Sequence, residues 1–233
     1  MSHALLFDLD DTLIFESEFQ ASAISAVKRH LTDRLGFLPA DVELAVKRSG
    51  PPGSMDRYQR ILAALGEEAD RGTVEELIRV HRSHKPTLSW QPDVPRMLKE
   101  LSCYNVKLGI VTDGLAETQR GKLSAVDAES VFDCIIVTDE LGEGRRHWKP
   151  DTKPFHLACE RLGVPLSRAI YVGDNPEKDF YMTTLIPITT VRLFREGAVY
   201  LDSPYRGDVR EHFRIRELGE LPMLLDRLGV GRR

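Results

Sequence analysis

Cysteine is scarce in this chain of 233 residues, with three at Cys103, Cys134 and Cys159. The count is odd and no spacing suits a metal, which argues against both a disulfide framework and a thiolate metal site. Cys134 and Cys159 fall on apolar stretches and read as buried thiols. No apolar run approaches the length of a membrane span, and no secretory leader pattern precedes Asp8. A reducing cytoplasm is therefore the expected location. Blocks of like charge are missing too: 32 basic residues face 36 acidic ones, a formal charge of −4. That balance argues against nucleic acid or a membrane surface as the main partner. It leaves room for a small anionic molecule, which needs only local positive charge. Internal repeats and low-complexity tracts are absent.

What the chain does have is five short apolar runs rich in Val, Ile and Leu, at 4–8, 106–111, 134–138, 169–173 and 188–193. Such runs suit strands buried on both faces of a parallel sheet. Helical spacing separates them, as in Val94, Met97, Leu98 and Leu101, then Phe155, Ala158, Cys159 and Leu162. Leu218, Leu221, Leu225 and Leu228 predict a final helix. Alternation of this kind predicts a doubly wound α/β fold.

From about Ser17 to Lys85 the alternation stops. Three helical faces follow one another there: Phe19, Ala23, Val27 and Leu31; Tyr58, Ile61, Leu62 and Leu65; Val74, Leu77, Ile78 and His81. The run Gly50-Pro51-Pro52-Gly53-Ser54 predicts a loop between them. So much helix exceeds what a crossover needs, so residues 17–88 are expected to form a separate helical domain. Residues 1–16 and 89–233 would form the α/β core, with Thr87 to Pro92 as the returning linker and Trp90 packed at the hinge.

Four clusters of polar residues stand at or beyond predicted strand ends. Asp8 and Asp10 follow the first run. Carboxylates at the carboxyl end of a strand can hold a hard cation or attack an electrophile, and they also suit an ordinary Asp-rich turn. Thr112 and Asp113 close the second strand, where a hydroxyl beside exposed N–H groups can cradle a phosphate. Lys149 lies beyond the third and can offset charge on a nucleophile or a phosphoryl group. Asp174 ends the fourth and can share a cation with Asp8. Asp179 can orient Lys149, or cap a helix.

The ordered set Asp8-x-Asp10, Thr112, Lys149, Gly173-Asp174-x₄-Asp179 resembles the haloacid dehalogenase superfamily over about residues 4–15 and 93–193. Gln119 to Leu123 and Lys149 to Phe155 add to the likeness, and the helical insertion resembles a C1-type cap on a Rossmann-like core. The resemblance implies a Mg²⁺-dependent phosphatase acting on a small phosphorylated metabolite such as a sugar or nucleotide phosphate. It implies Asp8 as nucleophile and Asp10 as acid and base. Thr112 and Asp113, with Lys149, would bind the phosphoryl group. Asp8, the main-chain carbonyl of Asp10 and Asp174 would bind the metal, and Asp179 would support Lys149. Asp10 favours phosphoryl transfer over C–Cl cleavage, which needs no protonated leaving group. A phosphosugar mutase of the same architecture is the alternative; a non-catalytic phosphoacceptor module fits poorly. Specificity would lie in the cap, with Arg48, Arg57, Arg82, His84 and Lys85 as candidate anion contacts. The family usually reaches its lysine soon after the residue corresponding to Asp139; here the basic-aromatic stretch 140–148 intervenes.

Overall fold

The computed structural model describes residues 2–51, 54, 56–142, 144–196 and 198–233. Residues 52 and 53 of the predicted 50–54 loop lie outside the described residues. The chain divides into two compact units, Met1–Glu16 with Ser89–Arg233, and Ser17–Leu88.

The first unit is built on six parallel strands: β1 (His3–Phe7), β2 (Val106–Thr112), β3 (Cys134–Val137), β4 (Ala169–Gly173), β5 (Thr189–Leu193) and β6 (Phe213–Ile215). Their order is β3-β2-β1-β4-β5-β6. This is the doubly wound order, and the chain reverses its direction of travel across the sheet between β1 and β4. Ala4 to Phe7 have no exposed surface, as a central strand covered on both faces requires. Helices α5 (Val94–Leu101), α6 (Ala116–Ala125), α7 (Lys153–Leu162) and α8 (Leu221–Arg227) complete the unit. Phe155, Ala158, Cys159 and Leu162 of α7 join Leu6, Ile136 and Tyr171 in its core. Gly163 ends α7 with φ +66°, a left-handed cap that favours glycine.

Five strands match the apolar runs to within two residues at each end, while β6 was not expected. Its three residues include Arg214, so it has no apolar run to betray it, only pairing with β5. Trp90 packs on Phe132 of this unit, ring centroids 6.0 Å apart. The returning chain is tied down by Gln91, whose N–H donates to the Leu13 carbonyl at 2.8 Å. Its side-chain amide donates to the Ile14 carbonyl at 3.2 Å. Cys103, Cys134 and Cys159 are free thiols, the last two buried. Among the described residues no helix is long and apolar enough to cross a membrane.

The second unit contains most of α1 (Glu16–Asp33), with α2 (Pro39–Arg48), α3 (Arg57–Ala64) and α4 (Arg71–Ser83). Val27, Leu31, Val42, Val46, Ile61, Leu62 and Leu77 form its core. Asp70 caps α4, accepting from the N–H groups of Gly72 and Thr73 at 2.8 and 3.1 Å. Helix α2 escaped the sequence reading because it offers only two turns of apolar face; Pro39 at its first position is its clearest signal.

Candidate active site

The register puts the carboxyl ends of β1, β2 and β4 side by side. Phe7 pairs with Ile110 on one side and with Val172 on the other. The Asp8 N–H continues this ladder, donating to the Val172 carbonyl at 2.8 Å. Asp8, Thr112, Asp113 and Asp174 therefore emerge at one edge of the sheet. Asp11 turns the chain away with φ +56°, a conformation Asp tolerates better than most residues. Its Oδ1 accepts from the Glu16 N–H at 3.1 Å.

A buried ion triad lies at the centre. Lys149 Nζ is 2.7 Å from Asp8 Oδ1 and 2.9 Å from Asp179 Oδ1. It also donates to Tyr171 Oη at 2.7 Å, and Tyr171 in turn donates to Asp179 Oδ1 at 3.0 Å. The second oxygen of Asp179 accepts from the Asn175 N–H at 2.9 Å. Burial works against charge on Asp8, yet Lys149 and Lys178 outweigh it and hold the carboxyl below its ordinary value. Burial likewise opposes charge on Lys149, but Asp179 and Asp8 raise its pKa. The 140–148 stretch does not misplace this lysine. Asp113 Oδ1 pins it, accepting from the Lys149 N–H at 3.0 Å and from Thr138 Oγ1 at 2.8 Å.

That arrangement changes the reading of Asp113. Its carboxylate is an anchor for the Lys149 loop, so any contact with a phosphate would have to use its main-chain N–H. Thr112 is fully buried; its Oγ1 accepts from Gln119 Nε2 at 2.6 Å and gives its own proton only to a long bond, 3.5 Å, with the Asp113 carbonyl.

Asp10, only two residues from Asp8, has different surroundings. Its side chain is 24 % exposed and bonds Lys122 Nζ at 2.8 Å. Gln119 Nε2 donates to its other oxygen at 3.0 Å. Lys122 is buried and also pairs with Glu16 Oε2 at 2.6 Å; Asp10 and Glu16 raise its pKa against the effect of burial. Both Asp10 oxygens are thus engaged, and a part in metal binding would run through its main-chain carbonyl.

The geometry fits a hard divalent cation. Carboxylate oxygens of Asp8, Asp174 and Asp179 lie within 4.8 Å of one another. Asp179 spends both its oxygens on Lys149, Tyr171 and Asn175, so it serves the lysine. Asp8 Oδ2 and Asp174 Oδ2, by contrast, are buried without a hydrogen-bond donor. Burial, then the charges of Asp179 and Asp8, push the Asp174 carboxyl well above its usual range. Two such oxygens suit a hard divalent cation, whose binding would relieve that repulsion.

Sequence reasoning assigned no role to Lys178, Lys122, Gln119 or Tyr171. Lys178 Nζ stands 3.8 Å from Asp8 Oδ2 and 3.7 Å from Asp113 Oδ2, with its side chain 29 % exposed. Gln119 and Lys122 share one face of α6 at a spacing of three, a signal available in the sequence. Tyr171 sits inside a fully buried strand, where nothing local marks it. The five candidate anion contacts, Arg48, Arg57, Arg82, His84 and Lys85, all belong to the helical unit, where two of them share one depression. Arg48 lines one depression and Arg57 with Arg82 another, while His84 bonds Ser22 Oγ at 3.0 Å.

Gly173 gives a direct test of this packing. A Cβ there would lie 2.5 Å from Asp179 Oδ2 and 2.7 Å from its Cγ. Asp179 is held by three partners and cannot give way freely. Gly173→Ala is expected to cost about 1–3 kcal/mol of stability and to displace Lys149. A thermal melt that matches the parent protein would refute the tight packing described.

Residues 5–191 match the family described as haloacid dehalogenase-like hydrolase. The chain is 30 % identical over 202 residues to a glyceraldehyde 3-phosphate phosphatase of Methanocaldococcus jannaschii, covering 84 % of this chain and 86 % of the relative. It is 32 % identical over 174 residues to the pyrophosphatase PpaX of Bacillus velezensis, 74 % of each chain. Among solved structures, a HAD phosphatase from Thermococcus onnurineus superposes with a TM-score of 0.60 at 30 % identity, covering all of both chains.

Proposed function

Because the chain belongs to the haloacid dehalogenase-like hydrolase family, we propose that it is a magnesium-dependent phosphatase working through a phosphorylated Asp8. At the coarser level it is a hydrolase of the phosphatase kind, acting on small phosphorylated metabolites, as its named relatives indicate. The observation that carries the finer reading is the contrast between two neighbouring carboxylates. Asp8 is buried and kept anionic by Lys149 and Lys178, whereas Asp10 stands at the partly exposed edge, positioned by Lys122 and Gln119. Paired carboxylates in unlike environments suit a nucleophile and an acid/base.

The Asp8 carboxylate attacks phosphorus, and the bond from phosphorus to the leaving oxygen breaks. Asp10 gives its proton to that oxygen, so an alcohol departs and Asp10 becomes a carboxylate. Asp10 then takes a proton from water as the water oxygen attacks phosphorus. The Asp8–phosphorus bond breaks, inorganic phosphate leaves, and both carboxyl groups return to their starting states. Thr112 donates its hydroxyl to the phosphoryl group, and Lys149 and Lys178 face the charge that develops on it. Bound by Asp8, Asp174 and the Asp10 carbonyl, Mg²⁺ would neutralise phosphate charge. The helical unit 17–88 is assigned the role of cap domain.

The test is release of p-nitrophenol from p-nitrophenyl phosphate. Turnover should require Mg²⁺, vanish with EDTA and return with added Mg²⁺. The cation should also raise the melting temperature of the parent protein by several degrees at ~100 times its Kd, and that shift should be lost in Asp174→Asn. Turnover that survives complete chelation would sink the metal assignment.

A further inference from the structure

Near the end of β5, Arg192 carries a guanidinium that the proposed chemistry does not use. It pairs in register with Gly173, the residue before Asp174, so it stands at the ligand-binding edge of the sheet. The residue is 2 % exposed, and a buried cation is costly unless its hydrogen bonds are made. Here they go to neutral oxygens of one downstream segment. Nη2 donates to the Tyr200 carbonyl at 2.6 Å and to the Leu201 carbonyl at 3.2 Å. Nη1 donates to Tyr205 Oη at 2.6 Å, and the guanidinium carbon lies 5.1 Å from the Tyr205 ring centre.

The same segment is tied to the loop that carries Asp174 and Asp179. The Arg206 N–H donates to the Pro176 carbonyl at 3.3 Å. The Tyr205 ring packs on Phe180, next to Asp179, with centroids 6.3 Å apart. Tyr200 itself is half-buried. Burial raises its phenol above the ordinary value, and the charges that act on it are those of Lys178, Asp174, Asp11 and Asp8. Such influence fades over ~10 Å in ordinary salt. Tyr200 therefore reaches the cluster around Asp8, as a neutral phenol at neutral pH.

We propose that Tyr200, held in place by Arg192, is a specificity residue of the α/β unit that contacts the organic part of a phosphate ester, beyond its phosphorus. The inference rests on the phosphatase reading and adds a substrate contact to it. The phosphoryl oxygens already have Thr112, Lys149 and Lys178 before them. An aromatic ring at the rim instead offers area to a carbon skeleton, and its hydroxyl suits a polar group on that skeleton. The substrate class that follows is a phosphate ester with a carbon skeleton to set against the ring. Arg192 acts through Tyr200 and is a positioning residue. Its planar fork fixes two successive carbonyls and a phenol at once, which the single ammonium of a lysine does not.

The experiment follows turnover of p-nitrophenyl phosphate by the full chain, with inorganic phosphate as the competing product. Tyr200→Ala should raise KM about fivefold or more while kcat stays within about twofold. The inhibition constant of inorganic phosphate, which has no carbon skeleton, should also stay within about twofold. Tyr200→Phe keeps the ring and should lie between Tyr200→Ala and the parent protein. Arg192→Lys should reproduce the KM rise of Tyr200→Ala, and the two changes together should raise KM no further than either alone. If Arg192→Lys does not fold, the Tyr200 variants, which alter a half-buried side chain, carry the test. An unchanged KM in folded Tyr200→Ala overturns the proposal. So does a KM that rises in step with the phosphate constant, since a merely structural role would move both. Absence of turnover in the parent protein would overturn the phosphatase reading, and this proposal with it.

Discussion

Asp8→Asn is expected to abolish phosphate release, by roughly 10⁴-fold or more, as loss of a covalent nucleophile typically does. An amide has nearly the shape of the carboxylate, so the change removes charge and nucleophilicity with little disturbance of packing. Lys149 keeps Asp179 and Tyr171 as partners, 2.9 and 2.7 Å away. The variant should therefore remain folded, with circular dichroism close to that of the parent. The aspartyl-phosphate route makes a second demand. Brief incubation of the parent protein with ³²P-labelled substrate and acid quench should trap label on the chain, and Asp8→Asn should trap none. Label that persists in Asp8→Asn would move the nucleophile elsewhere.

The second large effect is expected at Lys149, and it is both structural and catalytic. Lys149→Met leaves Asp8 and Asp179 buried without the cation that compensates them. Breaking a buried pair in this way typically costs ~3–5 kcal/mol, or about 10 °C of melting temperature for a chain of this size. The pH dependence follows from the shifts. The Asp8 carboxyl is lowered, so its contribution is present above the ordinary Asp value and is lost as pH falls through the folded one. The Lys149 pKa is raised, so its contribution is present below the ordinary Lys value and is lost as pH rises through the folded one. Between those limits the parent protein holds the full benefit. In acid the orphaned carboxylates of Lys149→Met take up protons, so the gap in melting temperature between variant and parent should narrow as pH falls. Adding Asp179→Asn to Lys149→Met should recover part of the loss at neutral pH, a coupling that a double-mutant cycle measures. A gap that stays constant down to pH 4, or strict additivity of the two changes, would show that charge compensation is not what Lys149 provides.

Much of this was legible in the chain itself, for local reasons. Ala4 to Phe7 and Ala169 to Gly173 announce buried strands because apolar residues must fill both faces of a central parallel strand. Polar residues placed where such strands stop then mark the ligand-binding edge of the sheet. Asp8, Thr112, Lys149 and Asp174 were visible on that logic, and their order carried the family resemblance. Helix α2 and strand β6 were not, because two turns with a short apolar face and a three-residue strand leave too little periodicity to recognise.

The sequence by itself determined the α/β class and the residue types gathered at strand ends, because periodicity and strand termination are properties of neighbouring residues. Tertiary structure decided which charges meet. Strand order and register bring Lys149 to Asp8 and Asp179, Lys122 to Asp10 and Glu16, and Lys178 between Asp8 and Asp113. They tie the Asp113 carboxylate to the main chain of Lys149. Packing of the helical unit made Arg57, one of several arginines in its sequence, a buried cation whose Nε bonds the neutral Ser49 Oγ. Burial and pairing depend on what lies across the fold, and no spacing along the chain encodes that.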